Sequence, residues 1–524
     1  MPGVSYQRQV EFTPHGPVVL DVVIAPKPDG SLYTLAPALS NNAIVGTEKL
    51  TDMERETTAS ATSVGVDGDY FAANPGKPTG LVLRGGVLES APSSTRSSLW
   101  IAADGTLTVS RVSFDGTWKG TGQRRQLDLN APPVKGHTTL YTSSWGPATP
   151  AESGVVADVI PSLPPLVPNK VDSGVVSQVL ASGPVPIPPG GAVLVSRGNQ
   201  APHLTAEAPA GTTVEIRPTL TPNWSEMASG IGGGPLLVSN GKPVFRARES
   251  FGDPVLNQRT ARSAVGQVSD GRIVLVTVEG GGVAYSAGMT NYELALALVQ
   301  LGARTAMALG SGTPASMSFD GTLLTRATEQ PISDALVLSY NGVYAALPSS
   351  DTLSPNGDGI DDAETFSYKL VRPSQVNASV IGPGNVTQVL AQATQQPGVY
   401  SVQWNGAGAS EGSWRFDVSA TDDLGRTTTA DRVFAVNNTL GGLQVVPSSG
   451  GLTASFTLAH PATVTVTLEK PNGIVVATLV SKKLDAGAQT VSYTGRISGY
   501  RVRVVADDSI GEVTLLSPVS ASRS

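Results

Sequence analysis

The stretch Ser63-Val-Gly-Val-Asp-Gly-Asp-Tyr-Phe71 sets two carboxylates, Asp67 and Asp69, at the end of an apolar run and follows them with two aromatic rings. Acids at a strand terminus beside a stacking surface suit a sugar site. Two carboxylates this close raise the proton affinity of one of them, which separates an acid role from a base role. Tyr70 can stack on a sugar ring, although an aromatic directly after a strand also suits a core. Glu279 ends the extended run 271–280 and is a candidate general acid or base. Arg262 is a candidate phosphate ligand, because a guanidinium grips phosphate oxygens in pairs; a surface ion pair is its plainer use. Gly232, Gly233 and Gly234 would let backbone amides approach a ligand closely, as they would also serve a simple turn.

These groups need a frame, and the stretch 288–317 supplies the clearest one. Thr290 with Glu293 three residues on is a capping box, which gives Glu293 a structural explanation. Leu294, Leu298 and Leu301 share one helical face, and Gly302 stands where a helix C-cap glycine belongs. The short apolar run Thr305-Ala306-Met307-Ala308-Leu309 is then a central strand. Gly310-Ser311-Gly312-Thr313 follows as a loop in which Ser311 and Gly312 are candidate substrate contacts. Thr51 and Glu54 have the same spacing and predict a second capped helix.

At 524 residues the chain is too long for one core, and two to four domains are expected. With 58 glycines, 39 prolines and only 15% charged residues, it predicts many short strands and turns. A net charge of −7 leaves no basic footprint for nucleic acid. The absence of cysteine excludes disulfides and thiolate chemistry, and His15, His137, His203 and His460 are too scattered to predict a histidine metal site. The opening MPGVSYQRQV lacks the charged start and apolar core of a signal peptide, and no apolar run reaches membrane-spanning length. Export would therefore require a signal removed from, or left out of, this sequence.

Five ordered segments resemble the phosphodiester glycosidase family: the Asp67–Phe71 motif with Pro78-Thr-Gly80 and Gly85-Gly86 after it, Gly230-Ile-Gly-Gly-Gly-Pro235, Arg259-Thr-Ala-Arg-Ser-Ala-Val-Gly266, the strand ending at Glu279, and the 288–317 stretch. The resemblance covers roughly residues 1–345. It implies a secreted hydrolase that cleaves a sugar-1-phosphodiester of the N-acetylglucosamine type, with Asp69 and Glu279 as catalytic carboxylates, Asp67 assisting, and Arg262 and the 232–234 amides on the substrate. Two departures stand out: the family carries Asn where Asp67 stands, and Asp where Gly310 stands. Asp67 compensates for the acid missing at Gly310 if it lies near that loop. Without such compensation the chain becomes a carbohydrate-binding protein on an enzyme fold.

Residues 366–376 recur in pattern at 454–464, and Trp404-Asn-Gly406 recurs at Tyr493-Thr-Gly495. Two copies of short alternating strands predict tandem β-sandwiches, and both resemble the immunoglobulin-like domain of the flagellar hook-assembly type, a spacer or docking module. The expected architecture is multidomain and β-rich: an α+β phosphodiester glycosidase domain over 1–347 with a strand-rich insertion at about 90–218, then two immunoglobulin-like β-sandwiches over 348–437 and 438–524. The linker offers oxygens at Asn356, Asp358 and Asp362 with the odd-numbered spacing of a calcium loop, so calcium is its expected ligand; the site chemistry itself calls for no cofactor. The expected partner is a glycan phosphodiester, met outside the cell or at its surface. A structural or adhesive surface protein is the alternative that the tandem sandwiches favour.

Overall fold

The computed structural model describes residues 1–223, 227–245 and 247–519; residues 520–524, which the last expected domain includes, lie outside the described residues. The chain divides into two compact units, Gly3–Asn341 and Met1–Pro2 with Gly342–Ser524.

In the first unit, valine-rich runs without polar alternation become strands buried on both faces. The seven-stranded sheet runs in the order Ser5–Thr13, Gly16–Ala25, Ile273–Val278, Arg262–Val268, Ala303–Ser311, Leu236–Ser239 and Lys242–Pro243. Every neighbouring pair in it is antiparallel. Helix Asn291–Gln300 covers one face, packing Leu294, Ala295 and Leu298 against Leu20, Val22, Val276 and Ala306. Side chains alternate along a strand, so the intervening positions point to the opposite face. There the register lines up Arg8 with Asp21, Asp21 with Thr277, and Thr277 with Ser263, a polar row across four strands.

A five-stranded sheet, Thr322–Leu323, Met317–Phe319, Thr62–Asp67, Asp334–Tyr340 and Tyr33–Leu39, brings the end of Thr62–Asp67 to that row. Helix Leu50–Thr57 packs Leu50 and Met53 on Ala335 and Val337 of this sheet. Its start corrects the expected capping box: Lys49, not a Thr51 hydroxyl, occupies the N-cap. Thr51 lies inside the helix, where its amide and hydroxyl donate to the Glu329 carboxylate at 2.8 and 2.9 Å. The cap arrives from 278 residues away, beyond the reach of a local pattern.

A second five-stranded sheet holds the Val82–Arg84 and Val87–Ser90 hairpin, whose turn at Gly85-Gly86 has φ of 54° and 78°. Positive φ at both central positions is the reason for the glycine pair. An eight-stranded sheet is drawn wholly from strands between Ser113–Lys119 and Thr213–Thr221.

The second unit repeats one plan. A three-stranded sheet with Glu364–Leu370 and Gly398–Trp404 shares a core with a five-stranded sheet containing Ser374–Ile381 and Gly412–Asp422. Gly451–Leu458 and Gly487–Thr494 then take the same places in a three-stranded sheet that packs on a four-stranded one. The first core is aromatic, with Phe366, Trp404, Trp414, Phe416 and Phe434; the second is mostly Val and Leu.

Candidate active site

The predicted carboxylates fall into two groups. Asp67 and Asp69 end the Thr62–Asp67 strand and its turn, and Asp334, which opens the neighbouring strand, joins them. All three are buried, at 1%, 4% and 0% exposed. Asp334 Oδ1 accepts the Asp69 amide at 3.0 Å, and its carbonyl accepts the Gly68 amide at 2.9 Å. Asp69 Oδ1 accepts the Tyr70 amide at 2.7 Å and faces the Arg96 guanidinium at 3.4 Å. Arg96 in turn donates to Thr79 at 2.6 Å and lies over the rings of Tyr70 and Phe251. Burial raises the proton affinity of Asp69, with Arg96 opposing, and raises that of Asp334 well above the ordinary carboxylate range, with the Asp69 charge adding to the effect. Lys77 lies close enough for both carboxylates to favour its charge, while burial pushes its ammonium down to about 8.

Asp69 is closed in by backbone. A Cβ on Gly80 would stand 2.6 Å from Asp69 Oδ2, and a Cβ on Gly232 would meet the same oxygen. The expectation of free amides at the glycine triplet is corrected at two of its three members: the Gly232 amide donates to Leu81 O at 2.7 Å and the Gly234 amide to Ala308 O at 2.8 Å. Gly233 is a close-approach position, where a Cβ would stand 2.8 Å from Ala308 O.

Asp67 is placed differently. Its backbone amide donates to Ser316 O at 3.2 Å and its Oδ1 accepts the Ser316 amide at 3.0 Å, a two-way clamp on the loop after Ser311. Oδ1 also accepts the Ser263 hydroxyl. Its second oxygen packs against Gly310, where a Cβ would collide with it. Burial pushes the Asp67 carboxyl up to about 7. The strand Ala303–Ser311 continues past the expected loop start because Ser311 pairs with Arg262. Gly312 then turns at φ 86°, and Tyr70 directs its buried hydroxyl to this region.

Arg262 does not meet solvent. At 1% exposed, it donates to the carbonyls of Met289 and Gln258 at 2.6 and 2.7 Å and to Asn291 Oδ1 at 2.9 Å. This corrects its reading as a phosphate ligand: it braces the start of helix Asn291–Gln300. The capping box there is as expected, with Glu293 accepting the Thr290 amide and hydroxyl at 2.8 and 2.9 Å.

Glu279 forms the second group. It sits just past Ile273–Val278, 2% exposed, on the wall of a cleft of about 750 Å³ that Arg259, Tyr285, Gly312, Thr313 and Arg326 also line. Its Oε1 accepts from Arg8 at 3.1 Å and its Oε2 from the Arg326 amide at 2.9 Å. The Arg326 guanidinium stacks 4.5 Å from the centre of the Tyr285 ring and is solvent-exposed. Burial, then the neighbouring Asp21, raise the proton affinity of Glu279. A carboxyl of raised proton affinity beside a solvent-exposed guanidinium, in a cleft lined by Gly280, Gly281, Gly282 and Gly312, can donate a proton to an anionic leaving group and hold its charge.

The sequence reading missed Asp334, Arg96, Asp21 and Arg8. Asp21 carried a signal, as the one acid inside the apolar run Pro17–Ala25. In the second unit, Asp362 accepts the Gly357 and Gly359 amides, each at 2.6 Å, and Asp358 those of Ile360 and Leu516 at 2.9 and 3.1 Å. Asn356 Oδ1 accepts the Asp358 amide at 3.2 Å. Among the described residues, no three His, Cys, Asp or Glu side chains are grouped to hold a metal ion.

Residues 169–339 match the family described as Phosphodiester glycosidase. The match begins after the Asp67–Phe71 motif and includes every cleft residue named above. The crystal structure of a hypothetical protein from Synechocystis aligns at 28% identity and a TM-score of 0.54, covering 64% of this chain and 62% of that one. A protein from Burkholderia pseudomallei K96243 aligns at 21% identity and a TM-score of 0.50, covering 62% and 74%, a likeness of fold. The SPbeta prophage-derived uncharacterized protein YomE of Bacillus subtilis is 30% identical over 107 residues, which span 20% of this chain and 16% of that protein. The chain carries a domain of the phosphodiester glycosidase family, matched over residues 169–339.

Proposed function

We propose that the first unit hydrolyses a sugar-1-phosphodiester, of the N-acetylglucosamine-1-phosphodiester type, cleaving between the anomeric carbon and the phosphate oxygen. The observation that carries this reading is the cleft built by family-matched residues, with the Glu279 carboxyl on its wall and the Arg326 guanidinium open to it. The C–O electron pair goes to the phosphate oxygen, which takes the Glu279 proton. Water then adds to the anomeric carbon and its surplus proton restores the Glu279 carboxyl, so one water yields a free sugar and a phosphomonoester. A phosphodiester is already a good leaving group, so the cation matters as much as the acid. Arg326 and Arg259 face the phosphate; Asp67, Asp69 and Asp334 hold the frame.

The test is release of free N-acetylglucosamine from a nucleotide-sugar by the purified protein and by Glu279→Gln. Turnover lost in the variant supports the reading, and no turnover by the unaltered protein on any sugar phosphodiester removes it. Gly310 favours a second reading, since the resemblance places an acid there and Asp67 fills the space instead. In that case the cleft binds the glycan without cleaving it, and calorimetry shows affinity without product.

The repeats at 348–437 and 438–524 serve in this reading as immunoglobulin-like spacers of the hook-assembly type that present the first unit to extracellular glycan. The Burkholderia fold neighbour is described as an exported protein candidate, which agrees with that location. Calcium at Asn356, Asp358 and Asp362 would stiffen the entry to the repeats; an unchanged melting temperature on adding calcium or a chelator removes it.

A further inference from the structure

Beside Glu279 lies a second carboxyl with no part in the scheme above. Asp21 is fully buried on Gly16–Ala25, where it pairs with Thr277 and so stands diagonal to Glu279 on the same face of the sheet. The next strand places Arg8 directly opposite Asp21. Arg8 donates from Nε to Asp21 Oδ1 at 2.9 Å and from Nη2 to Glu279 Oε1 at 3.1 Å, so one guanidinium spans both acids. Tyr6 donates its hydroxyl to the same Asp21 oxygen at 2.7 Å. The other oxygen, Oδ2, is buried and, among the described residues, accepts from no N–H or O–H donor. Two acids share a single cation, and a buried oxygen of one lacks a donor. A proton on the other supplies it.

We propose that Asp21 is the positioning residue of the cleft acid: it and Glu279 act as a pair that shares one proton, and Asp21 keeps that proton on Glu279, the member of the pair that lines the cleft. This rests on Glu279 being the acid of the proposed hydrolysis. Like charges at close range cannot both ionise, so the pair retains one proton over a range where a lone carboxyl would have lost it. Arg8 sets the limit in the other direction, since its charge prevents the pair from holding two. The groups that face Glu279 are Tyr6 and Arg8 from the first strand, Asp21 from the second, and Tyr285 and Arg326 from the cleft loops. Burial also contributes to the proton affinity of Glu279, and that part remains when Asp21 is removed.

The experiment follows the Glu279 side-chain carbon by NMR in protein labelled at the glutamate carboxyls, the signal being assigned by its loss in Glu279→Gln. In Asp21→Asn the titration midpoint is expected to fall by at least tenfold in proton affinity. The alkaline limb of the hydrolysis rate moves to lower pH by the same amount. Tyr6→Phe removes a donor from Asp21 while keeping both acids, and it is expected to move the midpoint upward, which keeps the test open should Asp21→Asn fail to fold. A Glu279 midpoint unmoved by the substitutions overturns the pair. If the midpoint moves with Asp21 but no sugar phosphodiester is hydrolysed, the hydrolase reading falls and the shared proton stands.

Discussion

Asp69 and Glu279 are nearly equally buried, at 4% and 2% exposed, and burial raises the proton affinity of both. They differ in what lies beyond the carboxyl. Around Asp69 it is the backbone of Gly80 and Gly232, with Arg96 held at its other oxygen. Around Glu279 it is a cleft wide enough for a sugar and its phosphate. A shifted carboxyl marks desolvation, and desolvation serves a tight scaffold as readily as a reactive site. Access to a solute separates the two.

Four substitutions and titrations test that separation. Glu279→Gln is expected to lower hydrolysis by roughly 10²–10⁴-fold while changing stability by no more than about 1.5 kcal/mol. Asp69→Ala should do the reverse. It leaves Arg96 buried without its ion pair and costs about 3–5 kcal/mol in denaturant unfolding. An Asp69→Ala protein of normal stability and no activity would break the comparison. Gly310→Ala drives a Cβ into Asp67 Oδ2 and should cost about 1–3 kcal/mol, a loss recovered when Asp67→Ala is made alongside it. Equal loss in both backgrounds would mean that the two residues do not press on each other.

The smallest effect is in pH. The Asp67 carboxyl is up to about 7 in the folded chain against an ordinary value of about 3.9, so the folded state binds more protons than the unfolded between those limits. Its contribution to stability is full below about pH 4 and is lost as pH rises through about 7. Glu54, also up to about 7, acts in the same direction. Melting temperature should therefore fall from pH 4 to above 7, and Asp67→Asn should make that fall shallower. An unchanged slope would mean that Asp67 is ionised throughout.

What the sequence made legible was local. Thr290 and Glu293 sit within one turn, and their spacing alone specified the cap that the structure holds. The strand 305–309 was likewise recovered inside Ala303–Ser311, since an apolar run after a helix stop has few alternatives. The recurrence of 366–376 at 454–464 matches the shared position of their strands in the two repeats. What failed was long-range register. Thr51 looked like a cap because Glu54 follows three residues on, but Glu329 meets it across the fold. Arg262 looked free to bind phosphate, because nothing local shows that Met289 and Gln258 carbonyls surround it. Asp21 and Glu279 become neighbours only when their strands pair, and no spacing in the chain encodes that pairing.

The same long-range pairing governs how the first unit is made. Leu39 pairs with Asp334 and Ala25 with Ile273, so strand Tyr33–Leu39 has no partner, and Gly16–Ala25 has only its hairpin partner Ser5–Thr13, until nearly the whole unit has left the ribosome. At about 5–20 residues per second, strand Tyr33–Leu39 waits on the order of 15–60 s for its neighbour. Meanwhile the eight-stranded sheet, whose strands all lie between Ser113–Lys119 and Thr213–Thr221, can close on itself. The middle of the chain is thus free to fold first, while the valine-rich strand Gly16–Ala25, paired on one side with Ser5–Thr13, keeps its other edge open to association with other chains.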